Sequence, residues 1–400
     1  MLQLSKKTIG GMVAEQLQEE TEAALFKRFL PNMDKFVIDH EYGGFMCDIE
    51  IDTCKHRSTT KLAWFEGRGI WLYSFLYNNF NPDPKYLKIA KQSIDFILRH
   101  QPEGDGFWPA SYTREGKPTS PPGDIYGNLF IAEGLMEYSR ATKLHEYWLQ
   151  AKKIIMSALG RYDQPDYQYS IRFGLQNIAE VPAPRVLGHW MIFLRLASQF
   201  LEHDDDKDIK QLADRCIEAI MQYHLNPEFN LLNECINHDL SIPDNDWGQF
   251  AYLGHGCEAL WMIMAEALRR NNSILFEKAA EAFKRHVTVA TDPVAGGYFT
   301  SLDNVRNYQF QLDKVLWLQE EILNGTMLLI ARTDDDWAHN CFRHTYQYIQ
   351  EKFTYPEFAF VVENGDRMML DPIRVRAEHY HHPRRLMLTL LAIKRMRESA

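Results

Sequence analysis

Along most of the chain apolar residues recur at the three- and four-residue spacing of a helix with one buried face. After Asp83 and Pro84, a helix-start pair, Leu87, Ala90, Ile94 and Ile97 fall on one stripe. After the aspartates at 204–206, Ile209, Leu212, Cys216 and Ala219 do the same. The pattern predicts twelve helices, near 11–30, 61–79, 84–100, 124–142, 144–160, 183–202, 206–224, 247–271, 274–288, 310–332, 334–353 and 382–397. No long alternating run competes with them. Connections leaving the even-numbered helices are short, whereas those leaving the odd ones run to roughly twenty residues or more.

Each long connection carries an aromatic segment flanked by turn residues: YGGFMCDIEIDT from Tyr42, GDGFWPASYTREGK from Gly104, PDYQYSIRFG from Pro165, PEFNLLNECINHDLS from Pro227, AGGYFTSLDN from Ala295 and YPEFAFVVENGD from Tyr355. They read as small β-hairpins or extended loops. With Phe45, Phe107, Tyr167, Phe229, Tyr298 and Phe358 as markers, the steps are 62, 60, 62, 69 and 60 residues. A sixfold repeat of this length means an array or a closed ring. Six helical hairpins predict an all-α (α/α)6 toroid over residues 1–400 as a single domain, with one helix of each pair inside and one outside. An open solenoid is the rival, but open arrays cap their ends with polar repeats, and the terminal repeats here look like the others. Function is expected on the rim that collects the long loops.

Charge narrows the partners. The formal net charge is −10 and no segment is dense in Lys and Arg, so neither nucleic acid nor a membrane surface is an expected partner. The N-terminal stretch places Lys6 and Lys7 early without a sustained apolar run, which argues against a signal peptide. The most apolar window, Ala259 to Ala265, meets Glu266 far short of the ~20 residues of a membrane span. Six cysteines without a CxxC suit reduced thiols in a cytoplasm, with neither a disulfide frame nor a structural zinc.

Even-numbered helices follow the long loops, so their N-terminal ends face the rim. One position per repeat gives Arg68, Asn128, His189, His255, Glu321 and His381, all polar. Near them lie Trp64, Glu66 and Trp71, then Tyr126 and Glu133, then Trp317 and Gln319, then Tyr380 and Arg384. Aromatic faces mixed with polar groups suit a carbohydrate, and core packing is the plainer reading of each Trp. His255 and Glu258 share a helix face. A metal held by them with Glu321 and His381 is conceivable, but paired Glu-x-x-His motifs and HExxH are both absent from the sequence. There is no GxSxG, no GxxxxGK[ST] and no GxGxxG after a strand. Two histidines in a polar, aromatic-lined cavity suit proton transfer near neutral pH, and a carbon-bound proton beside a sugar carbonyl is the natural target.

In their order and spacing, YGGF at 42–45, KLAWFEGRGIW at 61–71, YGNLFIAEGLMEY at 126–138, GHGCEALWM at 254–262, GGYF at 296–299, WLQEE at 317–321 and YHHPRRLM at 380–387 resemble the N-acylglucosamine 2-epimerase superfamily, which includes cellobiose 2-epimerases and mannose isomerases or epimerases. The resemblance covers nearly the whole chain. It implies an (α/α)6 barrel and a cofactor-free sugar epimerase or isomerase. The GHxxE match makes His255 one acid/base with Glu258 as its carboxylate partner, and the Y-H-x-x-R match makes His381 the other. Arg68 matches an arginine of the family and would act with them, while Trp64, Asn128, His189, Glu258, Trp317, Glu321 and Arg384 are candidates to bind the sugar. Glu66 stands where the family commonly has Gln. The implied reaction is C2 epimerisation through a cis-enediol; aldose–ketose isomerisation and, on carboxylate pairs, glycoside hydrolysis are the alternatives, beside a non-catalytic binding toroid. The expected partner is a small sugar, and a homodimer is left open.

Overall fold

The computed structural model describes residues 8–104, 106–173, 179–183, 185–353, 359–363 and 373–398, and of 170–183, 359–363 and 373–375 the backbone alone. Lys6, Lys7, Asp105, Gly174 and the marker Phe358, with much of its segment, lie outside the described residues.

All twelve expected helices are present. The first is α1 (Ala14–Glu22), continued by a π-helical stretch, Ala23–Phe29, and by α2 (Leu30–Phe36). The others are α3 (Ala63–Asn79), α4 (Pro84–Leu98), α5 (Ile125–Thr142), α6 (His145–Tyr162), α7 (Leu187–Leu201), α8 (Lys207–Glu218), α9 (Leu253–Arg269), α10 (Ser273–Ala290), α11 (Leu316–Thr333), α12 (Asp336–Lys352) and α13 (His381–Glu398). Aspartates start several of them as the sequence signals: Asp83 accepts from the Lys85 N–H ahead of Pro84, and Asp206 and Asp335 cap α8 and α12. The two starts that move furthest inward from expectation are those of α11 and α9, each six residues late. Strand Lys314–Val315 occupies the approach to α11, and a 3₁₀ turn, Asp246–Gln249, precedes α9.

The chain forms two compact units, one of residues 30–182 and 375–380, the other of 1–29, 183–374 and 381–400. In the first, α3 and α5 pack side by side, with α4 against α3 and α6 against α5. Every residue of α5 from Ile125 to Ser139 is buried, whereas α4 buries one face through Tyr86, Ala90, Ile94 and Ile97. In the second unit α7, α9, α11 and α13 are successive neighbours, and α8, α10, α12 and α1 pair with them in turn. The sixth hairpin is thus made by the two ends of the chain. The long connections carry short antiparallel pairs, such as Ile49–Glu50 with Lys55–His56 and Ser301–Asn304 with Gln309–Gln311. Among the described residues no helix is long and apolar enough to cross a membrane.

The repeat extends to side chains. In the first unit Lys61 Nζ lies 2.9 Å from buried Asp39, whose carboxylate also accepts from the Glu41 and Tyr42 N–H groups. In the second, Lys314 Nζ lies 3.0 Å from buried Asp292, which accepts from Val294 and Ala295. The Phe45 N–H donates to Glu66 in the one, and the Tyr298 N–H to Gln319 in the other. Gly44 has φ +87°, and a Cβ there would lie 2.5 Å from the Glu66 carboxylate, so both backbone and space require glycine.

Candidate active site

The second unit gathers most of the expected chemistry. His255, the third residue of α9, has Nδ1 3.0 Å from Glu234 Oε1. Glu234 sits beside the strand pairing of Cys235–Ile236 with Arg185–Val186, and its carbonyl accepts from the Leu187 N–H at the start of α7. Burial disfavours charge on His255, but the Glu234 carboxylate, helped by Glu258, outweighs it and raises the imidazole above its ordinary value. His189, on α7, is fully buried and pushed down to about 3, by burial first and then by the positive charge of His255 and Arg185. Burial thus favours its neutral form.

His381 opens α13, and its Nδ1 lies 3.1 Å from Glu321 Oε1. Arg384, one turn on and fully buried, donates from Nη2 to the same oxygen at 2.6 Å and to Glu258, and lies 3.2 Å from His381 Nδ1. The other Glu321 oxygen accepts from Trp261 Nε1 at 2.7 Å and from the Asn324 amide at 3.1 Å. Burial alone would raise the Glu321 carboxyl, yet Arg384 and His381 hold it down at about 2. Glu258, Glu321 and His381 offer ligand atoms within 4.8 Å of one another, the arrangement of a metal site. Arg384 Nη2 already touches all three, so a guanidinium takes the place a cation would need.

Trp317 joins the two histidines. Its ring centroid is 6.0 Å from that of His255 and 5.2 Å from that of His381, with Tyr252 packed against both His255 at 4.5 Å and Trp317 at 5.9 Å. The imidazoles are thus separated by no more than the sum of those two Trp317 distances, within reach of one small sugar. A Cβ on Gly254 would overlap the Trp317 ring, so glycine at this position lets the indole close on α9. His255 and His381 keep 22% and 11% of their side-chain surface accessible, while their carboxylate partners are buried. Because Nδ1 of each ring faces a carboxylate, Nε2 is the nitrogen suited to exchange a proton with substrate.

In the first unit, the Arg68 guanidinium lies over Phe130 at 4.2 Å, Tyr380 at 4.4 Å and Trp64 at 5.5 Å, a cation held among aromatic faces. Trp64 donates from Nε1 to Asp124 at 3.0 Å, which fixes the indole that borders Arg68. Asn128 spends its amide on the loop before α5, accepting from the Trp108 N–H and donating to the Gly106 carbonyl.

Over residues 43–367 the chain matches the family described as N-acylglucosamine 2-epimerase (GlcNAc 2-epimerase), more than half its length. The chain belongs to the N-acylglucosamine 2-epimerase family. It is 25% identical to human N-acylglucosamine 2-epimerase over 374 residues, 87% of this chain and 85% of that one. The bovine protein of the same name is 24% identical over 364 residues, covering 86% and 84%. The structure of cellobiose 2-epimerase from Spirochaeta thermophila DSM 6192 superposes with a TM-score of 0.80 at 16% identity, over 96% of this chain and 98% of that one. That likeness bears out the expected (α/α)6 fold class.

Within this family frame, the sequence reading and the structure differ in one pairing. The hydrogen-bonded carboxylate of His255 is Glu234, in the NECIN segment, rather than Glu258, which binds Arg384 and reaches His255 only through its charge. Glu234 lies 21 residues before His255 and one turn of no helix away, so spacing carried no signal for it. Glu320 and His382, neighbours of two expected residues, were likewise missed.

Proposed function

We propose that this protein is a sugar 2-epimerase in which His255 and His381 exchange protons with opposite faces of the substrate C2. The observation that carries the reading is the pair of imidazoles flanking Trp317, each with a carboxylate at Nδ1. The aldose opens to expose C1 as a carbonyl. One histidine takes the C2 proton, the C2–H bonding electrons become the C1–C2 double bond, and negative charge develops on O1. The second histidine then delivers a proton to the other face of C2, which inverts that centre and regenerates the carbonyl. Arg68 is assigned the developing oxygen charge on the strength of its motif and of its aromatic surroundings, which keep water from a guanidinium.

The human and bovine relatives are named for N-acylglucosamine, so an N-acylated hexosamine leads the candidates. A hydrolase would need a carboxylic acid that keeps its proton, and Glu321, held low by Arg384 and His381, does not supply one. The test is incubation of the protein with N-acetylmannosamine, mannose, glucose and cellobiose, following each sugar by NMR. Formation of a 2-epimer from one of them is expected. Cleavage of a glycosidic bond, or no change in any, would overturn the reading.

A further inference from the structure

Beside the His381 cluster stands a second one built from the neighbouring residues. Glu320 of α11 pairs with His382 through Nδ1, and Arg385 Nη2 lies 3.6 Å from the same Glu320 oxygen. Glutamate, histidine and an arginine three residues later thus occur twice over, as Glu321 with His381 and Arg384, and as Glu320 with His382 and Arg385. Consecutive helix positions point about 100° apart, so the second set does not share the face that meets Trp317. The His382 ring instead lies 6.0 Å from Phe29, the last residue of the π-helical stretch that follows α1.

The second set is as buried as the first, with Glu320, His382 and Arg385 at 1%, 6% and 5% exposure. Burying three ionisable groups recovers little stability over apolar residues of similar shape, so their use here is better explained by the alignment they impose. What they align is the start of α13. His381 is the first residue of that helix, so no preceding helical turn holds it. Pro383, two residues on, has no N–H to add to the first turn. Its place depends on how the first turn of α13 is pinned to α11.

We propose that Glu320, His382 and Arg385 form a positioning latch, which grips the first turn of α13 from the side facing α1 and so sets His381 against Glu321 and Trp317. The latch touches no substrate. It acts through His381, and this assignment rests on the proton-transfer reading given above. Proton transfer weakens steeply with donor–acceptor misplacement, so loosening the latch should lower kcat while leaving sugar binding nearly intact.

The test compares His382→Leu, which removes the donor to Glu320, with His382→Asn, whose amide nitrogen replaces Nδ1. In ring-15N-labelled protein, the His381 Nδ1–H signal is identified by its loss in His381→Ala. The latch predicts that this signal shifts or broadens in His382→Leu and returns to its native position in His382→Asn, a result that does not depend on the sugar chosen. With the substrate found above, kcat should fall about tenfold in His382→Leu with KM within about twofold, and recover in His382→Asn. Glu320→Gln should fall as His382→Leu does, and the double variant no further, because both break one interaction. An unchanged His381 signal in folded His382→Leu would overturn the latch, as would equal loss in the Leu and Asn variants. An absence of epimerase activity in the wild type, with the His381 signal behaving as predicted, would overturn the reaction and leave the latch standing.

Discussion

His255 and His381 receive the same treatment from opposite kinds of structure. Glu234 reaches His255 from a loop beside a two-residue strand, a single carboxylate against a single imidazole. Glu321 reaches His381 from the neighbouring helix and is itself held by Arg384, Trp261 and Asn324. In both, Nδ1 is the nitrogen that faces the carboxylate, so the proposed exchange falls to Nε2. The difference lies in what surrounds the carboxylate. Near His255 the Glu234 carboxylate raises the imidazole, whereas His381 Nδ1 also meets a guanidinium, Arg384 Nη2 at 3.2 Å. Two-base chemistry asks one histidine to donate where the other accepts, and these like residues stand in unlike surroundings.

Substitutions can break this contrast from either side. The largest effect is expected for Arg384→Met, which leaves the buried Glu258 and Glu321 carboxylates facing each other; a loss of about 3–5 kcal/mol in unfolding free energy is expected by denaturant titration. A stability near wild type would mean that the cluster is not held by charge pairing. Next, His255→Ala and His381→Ala should keep the fold and lower turnover by about 10² or more, the usual scale for a general acid or base. Wild-type rates in either variant would remove that residue from the mechanism.

Glu234→Gln sharpens the contrast instead of abolishing it. It removes the charge that raises His255, so the limb of the pH–rate profile that reports His255 should move to lower pH, with turnover down about tenfold. The same substitution logic applies to the two glycine turns, where Glu66 and Gln319 accept equivalent backbone N–H groups. Burial lifts the Glu66 carboxyl from 4.5 to about 7, against the hydrogen bonds from Ser93 and Phe45. The folded-state value is above the unfolded one, so stability is lost as pH rises from 4.5 toward 7 and stays reduced above it. Glu66→Gln should leave unfolding free energy unchanged at pH 4 and raise it by about 3 kcal/mol at pH 8. A gain that is equal at both values would contradict the buried-carboxyl account.

Much of this was legible in the sequence because the repeat is long and regular. The helical spacing marks all twelve helices, and the alternation of short and long connections marks which consecutive helices pair, while the packing of α13 on α1 comes from the structure. The register through Arg68, Asn128, His189, His255, Glu321 and His381 picks out residues at helix starts, yet they do different work. Asn128 holds a loop, burial pushes the His189 imidazole down, and His255, Glu321 and His381 gather around Trp317 with Arg384 and Glu258. Periodicity says where a side chain sits on a helix and nothing about what arrives opposite it. Glu234 arrives from a loop, and Glu320 and His382 lie one residue off the register, so pairings among them follow only from three-dimensional packing.

The central claim is that a proton leaves C2 to one histidine and a different proton returns from the other. Turnover of the substrate in D2O, with the product read by proton NMR, tests it most directly. Two-base transfer places deuterium on C2 of every epimerised molecule, since the returning proton comes from a group that never held the original one. Demonstrable epimerisation with C2 still carrying protium would contradict it.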